Sequence, residues 1–176
     1  MVQPPKRDTK PEPVHVDPGF EMDELLEEQP ELPEKQYCIF RTGRERYCLD
    51  VLDVDEVVEW PRLTKLPLSP PFLMGVFNLR GTIVPVVDIA FEGRRADLPP
   101  KQVVVACLRN NREAPDVQAG IAVDEVIGTY STREPLMRDE APRDVPYCSG
   151  MLRHGDRLAL ALDLKRMLEE YPVGTV

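Results

Sequence analysis

Hydrophobic positions fall into short runs separated by polar, glycine and proline punctuation. The first is Tyr37-Cys38-Ile39-Phe40, followed across Gly43 by a second over residues 45–51. Two β-rich runs a few residues apart, with a glycine between them, predict a hairpin. Val54, Val57, Val58 and Trp60 form a third apolar patch that stops at Pro61. Residues 63–66, held between Pro61 and Pro67, have room for a short edge segment at best. Pro70-Pro71-Phe72-Leu73-Met74 can start one helical turn, because proline is accepted in the first turn. Residues 75–79 and 82–89 then read as two strands turning at Arg80-Gly81. Pro85 inside the second argues for an edge position or a bulge.

The second half continues in this style. Gln102–Leu108 reads as a strand, Asn110-Asn111 as a turn, and residues 117–127 as another strand ending at Gly128. Residues 129–145 are charged and proline-punctuated, which predicts a mobile connection with some extended character. Residues 158–162 (LALAL) are a buried strand announced by the turn His154-Gly155-Asp156-Arg157. Asp163 reads as the N-cap of a helix over residues 164–171, with Leu164, Met167 and Leu168 on one face and Pro172 closing it. About nine or ten short strands with one helix indicate small barrels or a sandwich. Two pairs of segments echo each other: ERYCLDVLDVDEVVE with QAGIAVDEVIGTYS, and VPVVDI with LALALDL. Two related barrels of similar design and chance similarity between amphipathic strands both account for the echo.

Composition changes near residue 35. Residues 1–35 carry four basic and ten acidic side chains, and seven of the 19 prolines. The formal net charge of -9 is therefore concentrated there: -6 falls in residues 1–35 and -3 in the remaining 141. Acidic, proline-rich, aromatic-poor sequence cannot bury enough surface to offset its ordering entropy, so residues 1–35 are expected to be a disordered extension. Within it, FEMDELLEEQ (residues 20–29) sets Phe20, Met22, Leu25 and Leu26 near one helical face. That segment is too short for a stable isolated helix; a solvated linker and a segment that folds on a partner are both open.

Composition also excludes. The acidic balance, with a pI near 4.8, argues against general phosphate attraction to nucleic acid. No run approaches the ~18 apolar residues of a bilayer span, and the first residues lack the apolar core of a secretory signal. Cys38, Cys48, Cys107 and Cys148 form no CxxC pair, and three of them lie inside apolar runs, which reads as buried structural thiols. Asp53, Asp55 and Glu56 lack the spacing and glycine of a calcium loop. No glycine-rich phosphate cradle is present, and no Ser or Cys has a base nearby in sequence. The expectation is a non-enzymatic protein without metal or cofactor.

The most specific stretch is PLSPPFLMGVFNLRGTIVPVVDI. It resembles the CheW family of chemotaxis coupling proteins, whose signature is a Gly-x-x-Asn-Leu-Arg-Gly segment followed by a V-P-V-V-D-type strand. Gly75, Asn78, Leu79, Arg80, Gly81, Pro85 and Asp88 match it. Upstream, Val54-Asp55-Glu56-Val57 fits the family's V-x-E-V context. Downstream, Gly150, Asp156-Arg157-Leu158 and Leu162-Asp163-Leu164 fit its closing pattern. The likeness covers residues 36–171 and leaves residues 172–176 as a short tail. Two departures are the length of the acidic extension and the charged sequence between Gly128 and Tyr147.

The resemblance implies a mainly β fold of two small five-stranded β-barrels, of the Src-homology type, with a short C-terminal helix. It implies a cytoplasmic adapter at receptor arrays, with no catalytic residues. Such an adapter joins the signalling tips of chemoreceptors (methyl-accepting chemotaxis proteins) to the regulatory domain of the histidine kinase CheA. The alternatives are a coupling protein of a non-flagellar system (twitching motility or biofilm signalling), an array-localisation factor using the acidic tail, and a small-barrel ligand sensor.

The resemblance further implies that Val54, Glu56, Gly75, Asn78, Leu79, Arg80 and Gly81 form the receptor- and kinase-binding region. Arg80 is expected to pair with Glu56 through parallel hydrogen bonds. Either this is an internal brace, where losing one partner costs ~3–5 kcal/mol if the pair is partly buried, or it also shapes the receptor site. Val54 is a contact or a core residue. Gly81 is expected to need positive φ, Gly75 to permit close approach, and Asn78 to satisfy turn backbone groups. Asp88 and Asp163 are expected to end strands or cap.

Overall fold

A computed structural model of the chain describes residues 32–92, 99–109 and 116–172. The extension expected over residues 1–35 lies outside the described residues up to Glu31, as does the Asn110-Asn111 turn. The first hairpin is β1 (Lys35–Thr42) and β2 (Glu45–Asp50), followed by a 3-10 turn at Val51–Asp53. Then come β3 (Val54–Glu59), β4 (Leu73–Leu79) and β5 (Thr82–Val87). The second half provides β6 (Gln102–Leu108), β7 (Val117–Val123), β8 (Glu125–Thr132), β9 (Cys148–His154) and β10 (Arg157–Leu162). The helix α1 (Leu164–Glu170) is capped by Asp163, whose carboxylate accepts the Arg166 N–H at 3.0 Å.

The strands form two five-stranded sheets, with orders β8-β1-β2-β10-β9 and β3-β6-β7-β5-β4. In each, one internal pair is parallel: β2 with β10, and β5 with β7. Each sheet closes on itself through a segment that continues one edge strand to the other edge. Beyond β3, Thr64 exchanges both backbone hydrogen bonds with Val76 of β4; beyond β8, Met137 does the same with Met151 of β9. The two small barrels expected from the sequence are present.

Alternate residues explain why the strands read as continuous apolar runs. On β6, Val103 and Val105 point into the interior of their own barrel, with Val84, Val86 and Ala122. Val104 and Ala106 point the other way, into a core shared by both sheets. On β1, Tyr37 and Ile39 fill the other barrel while Cys38 and Phe40 enter the shared core. A sheet buried on both faces needs no polar alternation. Leu164 and Met167 of α1 complete the shared core.

The topology accounts for the sequence echo. The equivalent strands are β1–β5 and β6–β10, and they are exchanged between barrels: β1 and β2 pair into a sheet with β8–β10, while β6 and β7 pair with β3–β5. Both echoing pairs fall on equivalent strands, β2–β3 with β7–β8 and β5 with β10.

Three expectations change and one narrows. Residues 71–72 form a turn and β4 starts at Leu73, so there is no helical turn before it. The run 117–127 is two strands in different sheets, broken at Asp124. Strand structure runs through Thr132, in keeping with the extended character expected at the start of residues 129–145, but β9 is a strand the hydrophobic pattern did not announce. Pro85 sits on an internal strand, not an edge, which leaves the bulge of the two expected settings: the β4–β5 register shifts between Leu73 and Gly75, opposite Val87 and Val86. Val76, the partner of Pro85, directs its own N–H and C=O to Thr64. Pro85 therefore faces β7, where parallel pairing covers only Val86 and Val87, and its missing donor leaves no ladder bond unmade.

Candidate functional site

The residues singled out by sequence gather at the closing edges of the second barrel. β3 carries Val54 and Glu56; β4 and the β4–β5 turn carry Gly75, Asn78, Leu79, Arg80 and Gly81. Leu79 pairs with Thr82 across a two-residue turn in which both Arg80 (φ 51) and Gly81 (φ 95) are left-handed. This is the geometry that matches the twist of a hairpin, and it normally selects Asn or Gly at the first position. Asn78 Oδ1 accepts the Gly81 N–H at 2.8 Å and pins the turn. The positive φ of Gly81 is as expected.

Arg80 Nη2 donates to Glu56 Oε2 at 2.9 Å. The pair bridges the two edge strands of the barrel at the end opposite the Thr64–Val76 bridge. The expected pairing is present, but the expectation of two parallel hydrogen bonds is corrected. One hydrogen bond is made, and the Arg80 side chain is 80% exposed against 24% for Glu56. An exposed pair of this kind contributes ~0–1 kcal/mol, not the several of a buried one.

Gly75 is buried, and a Cβ there would stand 2.6 Å from the Thr64 carbonyl oxygen. Its close approach is to the closing segment of its own barrel. Gly150 takes the equivalent place in β9, under Leu136 and Met137. Val54 is half-buried against the shared core and Leu79 against the barrel interior. Asp88 Oδ1 accepts the Ala90 N–H at 3.0 Å where β5 ends, as expected.

Sequence reasoning missed two polar clusters related by the strand exchange. Asp124, between β7 and β8, accepts from Arg41 Nη1 and from the Gly43 N–H, both at 2.9 Å. Asp55 on β3 accepts from Arg109 Nη2 at 3.0 Å and Gln118 Nε2 at 2.7 Å. In each, an Arg near the end of the first strand of one repeat meets an Asp at the third strand of the other. The signal was in the echo, which aligns two Asp-Glu-Val triplets.

All four cysteines are buried free thiols. Burial raises each above the ordinary thiol range, Cys48 to about 12. Among the described residues no cluster of His, Cys, Asp and Glu could hold a metal ion. A cleft of about 720 Å3 lies beside the β1–β2 turn. Its rings are packed on one another: Phe72, Phe91 and Tyr171 meet edge to face at 5.0–6.5 Å. Side-chain hydrogen bonds link Tyr171 to Tyr147 and Tyr147 to Tyr47. Burial pushes Tyr47 and Tyr147 up to about 12.

Fold and site together define a double-barrel β protein that presents a charged hairpin turn at the closing edges of one barrel. Residues 36–171 match the CheW-like domain, and the chain belongs to that family. It is 27% identical over 146 residues to the chemotaxis protein CheW of Klebsiella aerogenes, covering 81% of this chain and 86% of that one. To the chemotaxis protein CheW of Thermotoga maritima it is 28% identical over 150 residues, covering 81% and 93%. Protein PilI of Pseudomonas aeruginosa is 37% identical over 90 residues, 51% of this chain and 48% of that one. The crystal structure of the scaffolding protein TtCheW from Thermoanaerobacter tengcongensis matches with a TM-score of 0.62 at 26% identity, covering 75% and 86%.

Proposed function

We propose that the chain is a non-enzymatic chemotaxis adapter that couples chemoreceptor signalling tips to the regulatory domain of the histidine kinase CheA. Its docking region is the edge of the second barrel, with Val54, Glu56 and Leu79 around the Arg80 turn and with Gly75, Asn78 and Gly81 shaping it. The observation that carries this reading is the placement of Arg80. A non-glycine residue in a left-handed conformation costs roughly 1–2 kcal/mol, and its exposed ion pair returns about as much or less. Stability does not explain an arginine held there; presentation to a partner does. In this reading the adapter works in the cytoplasm at receptor arrays, and among the described residues no helix is long and apolar enough to cross a membrane. The similarity to Protein PilI favours a second reading, the same coupling role in a non-flagellar chemosensory system.

The test is pull-down with a receptor signalling tip and with the kinase regulatory domain, using Arg80→Ala and the exchanged pair Glu56→Arg/Arg80→Glu. Both variants are expected to melt within a few degrees of the parent, as surface changes do, and to lose partner binding. Unimpaired binding to both partners by Arg80→Ala refutes the assignment of this edge.

A further inference from the structure

The cleft beside the β1–β2 turn shares no residue with the Arg80 edge. Its floor is aromatic. Phe72 and Phe91 are half-buried there, and the buried rings of Tyr47, Tyr147 and Tyr171 complete it. Four carboxylates stand around the rings, each from a different part of the fold: Glu45 from the start of β2, Glu92 from beyond β5, Asp144 from before β9 and Glu170 from the end of α1. All four residues are exposed, and among the described residues none of their side chains has a hydrogen bond or an ion pair. Arg44 is the single base among the described residues that line the cleft.

Carboxylates gathered without counter-charge repel one another, and here they lie close to the phenols. Burial and the Tyr147 hydrogen bond raise Tyr171 above the ordinary phenol range, and the Glu170 and Glu92 carboxylates raise it further. Burial raises Tyr47 likewise, with Glu45 adding to it. An aromatic floor ringed by carboxylates complements an organic cation. The ring faces attract its charge, its methylenes pack on the rings, and its ammonium groups donate to the carboxylates. The acids are also spread out: among the described residues no cluster of His, Cys, Asp and Glu could hold a metal ion. Charges spaced along a chain match them, and a bare ion does not. The cleft holds about 720 Å3, within the ~300–1,000 Å3 of small-molecule sites.

We propose that this cleft is a binding site for a linear aliphatic polyamine of the size and charge of spermidine. Its methylene chain lies on Phe72 and Phe91, and its ammonium groups meet the carboxylates of Glu45, Glu92, Asp144 and Glu170. The inference is independent of the coupling role proposed above, because no residue of the Arg80 edge takes part.

The experiment is isothermal titration calorimetry of the full chain with spermidine at low ionic strength, beside near-ultraviolet circular dichroism. Tyr47, Tyr147 and Tyr171 are three of the five tyrosines, so the tyrosine band reports the cleft. Saturable binding with a change in that band is expected. Glu92→Gln/Glu170→Gln should weaken the binding about tenfold, and Phe91→Leu about threefold. Glu125→Gln/Glu134→Gln, an equal loss of charge outside the cleft, should change it by less than about twofold. Far-ultraviolet circular dichroism of each variant confirms that the barrels are intact. Absence of binding overturns the proposal. So does an affinity unchanged in Glu92→Gln/Glu170→Gln, which would place the polyamine on other acids of the chain. Magnesium ion binding the parent as tightly as spermidine, with the same loss in that variant, overturns it in favour of an inorganic cation.

Discussion

Gly75→Ala is expected to destabilise the protein much more than Gly81→Ala, although both glycines have positive φ (142 and 95). At Gly81 a Cβ meets nothing within 4 Å, so only the backbone conformation opposes it. At Gly75 a Cβ would lie 2.6 Å from the Thr64 carbonyl oxygen, 3.1 Å from its carbon and 3.3 Å from Leu63 Cβ. That carbonyl cannot retreat freely. It accepts the Val76 N–H at 2.9 Å while the Thr64 N–H donates to Val76 at 2.8 Å, and this exchange closes the barrel. Overpacking costs ~1–3 kcal/mol, and a disfavoured φ adds ~1–3 kcal/mol. We expect a loss of about 3–5 kcal/mol for Gly75→Ala and about 1–2 for Gly81→Ala. For a domain of this size that is a fall in Tm of ~10–15 °C against ~3–6 °C. Thermal melting followed by circular dichroism measures both. Adding Leu63→Ala should not rescue Gly75→Ala, because the nearest obstacle is backbone. Equal falls for the two glycines would refute the closure argument. So would a Gly75→Ala protein that melts normally yet no longer binds a partner, since Gly75 would then act as a contact.

The other two predictions concern the core and its margins. Asp124→Asn removes the charge that the Arg41 guanidinium and the Gly43 N–H share, at a side chain only 9% exposed; a loss of ~1–3 kcal/mol is expected in urea unfolding, and a change under ~0.5 would show that the junction does not depend on the carboxylate. Tyr47 and Tyr147 hold their protons in the folded protein up to about 12, above the ordinary tyrosine value of 10.0, because burial disfavours the phenolate. The stability this linkage provides is complete below pH ~10 and is lost as pH rises through ~12; tyrosinate absorbance and circular dichroism should change together in that window, and normal titration near 10 with the fold intact would refute the burial of the phenols.

The hydrophobic pattern revealed most of the strands because the inner strands of each sheet are buried on both faces, which turns β6 and β10 into nearly unbroken apolar runs. It failed where a strand carries mixed chemistry. β9 (CSGMLRH) alternates buried and half-buried positions around a glycine and an arginine, and offers no apolar run to detect. It also failed at Asp124, where one acidic residue inside VQAGIAVDEVI moves the chain from one sheet to the other. Nothing local marks that change, because the partners that hold the carboxylate, Arg41 and Gly43, are some 80 residues away. The site was legible as a motif: Asn78 and Gly81 follow from turn chemistry, and the Arg80–Glu56 pairing from the family resemblance. The exposure of the pair was not, since burial depends on where the barrel edges end in space.

Strand exchange is what makes the two barrels one body. Had each repeat folded into its own barrel, a single connection would join them and the Arg–Asp clusters would be internal to each. Instead β1 and β2 belong to the barrel completed by β8–β10, and β6 and β7 to the barrel completed by β3–β5. The Arg41–Asp124 and Arg109–Asp55 pairs therefore join residues of opposite repeats, 83 and 54 positions apart. Neither half of the sequence can bury the faces of its own strands without the other, so the shared core and both barrels should be lost together and not in turn. The coupling role proposed above would need this property. A shift imposed at the β3–β4 edge meets a barrel whose β6 and β7 also build the shared core, and close packing there resists deformation. Under the proposed coupling role it would be carried to the barrel of β1, β2 and β8–β10 as a displacement of the whole instead of being absorbed at a hinge.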